Sequence, residues 1–264
     1  MRLECDFIFD GLPSSEYGLQ ILSLGTAPDT ETLIPNKEYI KVKAPNDTRY
    51  RILNVSEDEP LTFKLQLFST ECTTEDEFLA SNRIKVITDW MFNQTDYKKL
   101  QIINSEISHL YFNCILKNAT KLMVAQNVFG IECTVECDSA GAWEFEKTNK
   151  YDFTTNGNGT IFFNNISSDI KGLRPILTIE MFEDGNFNMT SLTTGQQITI
   201  NNLNMTEKIT MDCDNQIISS NLDKYIFDDF NGEFLCMKKG LNNISVSGKC
   251  KITMIYQNQV KVGS

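Results

Sequence analysis

The run Gly130-Ile131-Glu132-Cys133-Thr134-Val135-Glu136-Cys137-Asp138-Ser139-Ala140-Gly141-Ala142-Trp143 alternates in its first half and breaks in its second. Ile131, Cys133, Val135 and Cys137 point one way, and Glu132, Thr134 and Glu136 the other. That period of two is a strand with one buried and one wet face. Asp138 to Gly141 are small, turn-forming residues, and the pattern restarts at Trp143. One folded unit closes here and another opens, near the middle of 264 residues.

Upstream, the same alternation runs through residues 4–9 (Cys5, Phe7 and Phe9 on one face), 19–22, 37–43, 61–68, 100–103 and 110–116. One segment is helical instead. Thr74-Glu75-Asp76-Glu77 reads as a capping box, and Phe78, Leu79, Ile84, Ile87, Trp90 and Met91 recur at helical spacing, predicting a helix over 74–92 in which Ser81 is a second cap. Downstream, helical periodicity is almost absent. Leu177, Ile179 and Met181 share a face, as do Phe187 and Met189, and Asp184-Gly185-Asn186 between them predicts a hairpin. Asn156-Gly157-Asn158-Gly159 predicts a second tight turn, and a last strand carries Cys250, Ile252, Met254 and Tyr256 on one face. Many short strands at close spacing predict a β-sandwich of jelly-roll or related topology.

A formal net charge of -11 argues against a generic nucleic-acid binder, which needs a basic patch, and against docking on anionic membranes. No apolar run reaches membrane-spanning length, and the first residues carry acids where a secretory signal would be apolar. Synthesis in a cytoplasm is the expectation. The eight cysteines are therefore expected to be reduced and mostly buried, Cys133, Cys137 and Cys250 among them. A zinc pair at Cys133 and Cys137 is the sharper alternative, without a second ligand pair near it. The Asn-x-Ser/Thr sequons, Asn158, Asn188 and Asn243 among them, read as chance matches in an Asn- and Thr-rich chain.

Candidate chemistry is sparse. No phosphate loop or nucleophile elbow is present. The single histidine, His109, lies in a strand candidate. Asp212 and Asp214 could share a strand face, and Asp228-Asp229 and Glu57-Asp58-Glu59 are carboxylate clusters, all explained as solvated turns. No residue is assigned a catalytic, cofactor or metal role, and no enzyme is expected. Sugar stacking on a sandwich face is a further possibility, with Trp143, Phe162, Phe163, Tyr225, Phe227, Phe230, Phe234 and Tyr256 as its aromatics, most of them expected in the core.

In order along nearly the whole chain, several motifs resemble the distal tail proteins of long-tailed phages of Gram-positive hosts. They are Phe7-Ile8-Phe9-Asp10-Gly11 with Ser14 to Leu19, Arg83-Ile84 to Trp90-Met91 with Tyr97 to Leu100, Tyr111 to Leu116, Thr134 to Ser139 with Ala142-Trp143, Ile209 to Gln216, Asp229 to Leu235, and Gly240 to Ile244. Ala140-Gly141 departs from the proline expected after the Asp-Ser pair. The resemblance implies a mainly β chain: an N-terminal split β-barrel with one helix over 1–138 and a C-terminal galectin-like β-sandwich over 139–264. It implies a hexameric ring at the tail tip of a virion, the first domains around a channel and the second projecting outward. Its implied partners are the tail tube, the tail-associated tip protein and receptor-binding or baseplate proteins. DNA would pass without specific binding, and an acidic lumen would suit that passage. The alternative from another class is a carbohydrate-binding β-sandwich protein for host cell-surface recognition.

Overall fold

The computed structural model describes residues 2–24, 38–45, 47–56, 60–70, 79–124 and 126–262. The chain is mainly β, with one α-helix among the described residues, and it divides into two compact units, Met1–Trp143 with Lys261–Ser264, and Glu144–Val260. In the first unit the strands are β1 (Arg2–Phe9), β2 (Leu12–Pro13), β3 (Leu19–Leu24), β4 (Glu38–Val42), β5 (Arg51–Ser56), β6 (Thr62–Ser69), β7 (Lys98–Ile103), β8 (Leu110–Val124), β9 (Asn127–Cys137) and β10 (Ala142–Glu144), the last of which runs one residue past the division.

Six of these pair in a closed cycle. β1 pairs with β3, β3 with β6, β6 with β9, β9 with β8, β8 with β7, and β7 with β1 again, all antiparallel. β9 holds the run that opens the sequence argument, and its alternation is seen: Ile131, Cys133, Val135 and Cys137 are buried, while the residues between them are half-buried. The register sets Cys133 opposite Leu65 and Ile131 opposite Leu67, so apolar meets apolar on one face. On the other face Glu132 takes Lys64 Nζ at 2.9 Å and Gln66 Nε2 at 2.7 Å. Gly130 is required by a close approach: a Cβ there would stand 2.2 Å from the Leu67 carbonyl oxygen. After Cys137 the chain stays tied to this unit. The Asp138 N–H donates to the Asn113 carbonyl, Ser139 accepts from the Leu61 N–H, and Trp143 Nε1 donates to Asp138 at 3.2 Å.

The helix α1 is Ser81–Met91, shorter than the span expected from periodicity. The Thr74–Glu77 capping box lies outside the described residues. Leu79 and Ala80 are not helical; Leu79 donates its N–H to the Val128 carbonyl, which commits the backbone to extended geometry just before the first turn. Ala80, not Ser81, is the N-cap, and no side chain of the described residues caps the helix there. Ile87 and Met91 are buried, and Trp90 stacks on Tyr17 with ring centroids 3.9 Å apart while donating Nε1 to the Phe9 carbonyl. Arg83 donates to the Tyr17 carbonyl at 3.0 Å, and its guanidinium fills the space a side chain on Gly18 would take.

The second unit holds β11 (Lys147–Asp152), β12 (Asn158–Asn165), β13 (Ile176–Met181), β14 (Gly185–Ser191), β15 (Gln197–Leu203), β16 (Lys208–Asp212), β17 (Ile217–Ser220), β18 (Gly240–Ser247), β19 (Cys250–Tyr256) and β20 (Gln259–Val260). Two sheets, β11-β19-β13-β16-β17 and β12-β18-β14-β15, close a single apolar core from their inner faces: a β-sandwich. The Asp184-Gly185 turn is not a hairpin. β13 belongs to the five-stranded sheet and β14 to the four-stranded one, so the turn carries the chain across the sandwich. The Asn156–Gly159 turn likewise links β11 in one sheet to β12 in the other. The local hairpins are β14–β15 and β16–β17.

Candidate interaction surfaces

Among the described residues, those singled out for chemistry do not assemble into a site. His109 is exposed on the turn before β8 rather than inside a strand, because Asn104 organises that turn by accepting the N–H groups of Glu106 and Ile107. Asp212 ends β16, and its carboxylate takes the N–H groups of Asp214 and Asn215 and the Asn215 amide. Burial works to raise its pKa, but these bonds outweigh it and hold the carboxyl below its ordinary value: a turn cap, not a proton donor. Asp214 faces Arg174 instead, at 3.9 Å. Asp229 takes Asn202 Nδ2 at 2.6 Å. Glu57, Asp58 and Glu59 lie outside the described residues.

The described cysteines are unbridged, and all but Cys236 are buried. Burial, with Glu132 beside one and Asp138 and Glu136 beside the other, pushes the Cys133 and Cys137 thiols up to about 12. A zinc ligand must be a thiolate, so this environment disfavours it. Among the described residues no group of three or more His, Cys, Asp and Glu is placed to hold a metal, and no helix is long and apolar enough to cross a membrane.

What the fold displays instead is surface. β4 and β5 form a two-stranded ribbon that pairs with no other strand among the described residues, and it shows Tyr39, Ile40, Val42, Ile52 and Leu53 to solvent, with Leu53 66% exposed. Tyr50, just before β5, is 68% exposed. A two-stranded ribbon is marginal alone in water, and apolar side chains along it raise the cost of leaving it bare. Beyond Leu116, β8 and β9 continue as a second projecting hairpin, with Met123 and Val124 exposed near its tip.

A third surface lies on the second unit. β12, β14, β15 and β18 contain no Asp, Glu, Lys or Arg, in a chain that is 22% charged. Their buried positions are apolar or, at Asn165, Ser191 and Asn242, small and neutral. Their outward positions line up through the register: Thr160 opposite Ser245, and Ser245 opposite Thr190, with Phe162 opposite Asn243 on the next rung. Phe162 is 70% exposed. Asn243 Oδ1 is enclosed and takes no hydrogen bond from the described residues, a cost of about 1–3 kcal/mol carried on this face. Of the other aromatics named from sequence, Phe163 and Phe230 are in the core, Phe234 and Tyr256 pack against it, and Tyr225 and Phe227 are exposed neighbours. Sequence reasoning passed over the ribbon and the uncharged sheet. A signal for the latter existed, since Asn158, Asn188 and Asn243 are all outward residues of that sheet.

Comparison with known proteins adds the following. A family model described as the phage tail protein N-terminal domain matches residues 4–139, and one described as the phage tail C-terminal domain matches residues 143–256. Among solved structures the fold is similar to the crystal structure of the SPP1 Dit (gp 19.1) protein, described as a paradigm of the hub adsorption apparatus in Gram-positive-infecting phages. The TM-score is 0.68 at 10% identity, over 96% of this chain and 98% of that one. At that identity the likeness is one of fold. No curated protein matches the chain.

Proposed function

Because this chain belongs to the phage tail protein family, matched over both of its halves, we propose that it is the hub of a tail tip. In this reading six copies form a ring that joins the tail tube to the tip protein and to receptor-binding or baseplate proteins. In it the first unit is the ring-forming split barrel and the second is the galectin-like domain. The observation that carries the reading is the apolar β4–β5 ribbon, whose exposed Ile40, Ile52 and Leu53 mark a surface suited to protein contact. The Dit-like fold over nearly the full chain supports it. A channel crossed by DNA is served by acidic walls, to which phosphates do not bind, and the chain's net charge of -11 is compatible with such a lumen.

Native mass spectrometry of the purified chain, alone and mixed with the tube protein of the same phage, tests the assembly. The expected result is a six-copy particle that Leu53→Asp disperses. A chain that stays monomeric in both samples overturns the ring, and a ring with a Lys- and Arg-lined lumen overturns the account of DNA passage.

A further inference from the structure

We infer that the outer face of the four-stranded sheet β12-β18-β14-β15 binds a neutral saccharide. A solvent-facing sheet ordinarily carries charge, as the companion sheet does with Lys150, Asp152, Glu180, Lys208 and Lys251. Here every outward group along the strands is neutral, and most are amides or hydroxyls. Such groups match a polyol, whose hydroxyls both donate and accept, and which no Lys or carboxylate is needed to orient. The rung of Thr160, Ser245 and Thr190 supplies hydroxyls in a row. Asn188, on the neighbouring rung, is already fixed by the Thr199 hydroxyl at 3.0 Å, so the amide is positioned before any ligand arrives. Beside them Phe162 presents an open ring on which the C–H face of a pyranose can stack.

A protein partner would suit this face less well. Interface cores gather several aromatic and aliphatic anchors, whereas the face is amide- and hydroxyl-rich around one ring. The lack of charge also selects against acidic polymers, which call for Lys or Arg. That the saccharide belongs to the envelope of the host cell rests on reading the chain as a tail component; the binding chemistry does not.

The test uses the intact chain on an array of neutral oligosaccharides ending in glucose, galactose or N-acetylglucosamine, beside sialylated, uronic-acid and phosphorylated ones. The expected result is retention on neutral glycans only, weakened about tenfold or more by Phe162→Ala and by Ser245→Lys at unchanged melting temperature. Ile217→Ala, on the other sheet, leaves it unchanged. A blank array, preference for acidic glycans, or binding indifferent to Phe162→Ala overturns the inference. So does a photoreactive phenylalanine analogue at position 162 that crosslinks to another tail protein in assembled particles. Native mass spectra of the same samples keep the two readings apart: a six-copy ring without glycan binding overturns only this inference, and a glycan-binding monomer only the ring.

Discussion

The two sheets of the second unit bury the same kind of side chain and offer the solvent opposite ones. Inside, Ile179 and Met211 from one sheet meet the apolar environment shared by Phe187 and Val246 from the other. Outside, the five-stranded sheet is laced with cross-strand charge: Lys208 lies 3.3 Å from Glu180, and Lys251 3.6 Å from Asp152. The four-stranded sheet has none. The core places no demand on the outer residues, since alternation puts them on the far side of the backbone. Their difference is therefore a property of what each face meets, not of how the sandwich folds.

The largest effects should treat the sheets alike. Phe187→Ala is expected to cost about 3–5 kcal/mol, and Ile179→Ala about 2–5 kcal/mol. Both tryptophans, Trp90 and Trp143, lie in the first unit, so urea unfolding followed by circular dichroism should shift while tryptophan fluorescence does not. A cost well below these ranges in one sheet only, or a shift in both signals, would break the symmetry of the inner faces.

A smaller effect comes from Glu207, whose buried carboxylate takes the Asn204 N–H at 2.9 Å, the Ser220 hydroxyl at 2.7 Å and Lys224 Nζ at 3.0 Å. Burial, the largest single influence, would raise its pKa; the hydrogen bonds and the ammonium together outweigh it and lower it. A carboxyl depressed on folding stabilises above its unfolded value, about 4.3, and loses that contribution as pH falls through the folded value. Glu207→Gln should cost about 1–3 kcal/mol at neutral pH. It should also flatten the loss of second-unit stability that the parent shows below about pH 4.3, as read from melting curves across pH.

The outer faces come next. A double-mutant cycle on Lys208 and Glu180, both partly exposed, should return a coupling of about 0.2–1 kcal/mol. Smallest of all, Ser245→Lys on the uncharged face should change stability by no more than about 0.5 kcal/mol. A large loss there would mean that folding itself forbids charge on this sheet.

The alternation of residues 131–137 was legible because a strand's burial is written two residues at a time, and β9 shows it. The Asp184-Gly185 reversal was legible as a turn but not as a crossing. Backbone preference states where a chain reverses, whereas the sheet that receives the next strand is chosen by the shared core. The helix start was misread for a related reason: periodicity from Phe78 onward is blind to the bond that ties Leu79 to Val128, far along the chain. The uncharged face was hidden in sequons that looked like chance, since only strand pairing puts Asn158 and Asn188 on either side of Ser247, with Asn243 further along the same strand.

The cycle of pairings in the first unit has one more consequence. Along β1, β3, β6, β9, β8 and β7 each strand has a partner on both sides. A newcomer strand meets no row of spare amides along that wall. Joining by strand addition is self-propagating, because each recruit exposes the next landing strip. Closing the wall removes that mode for these six strands, so the ring proposed above would have to be joined through side-chain surfaces or through strands outside the wall.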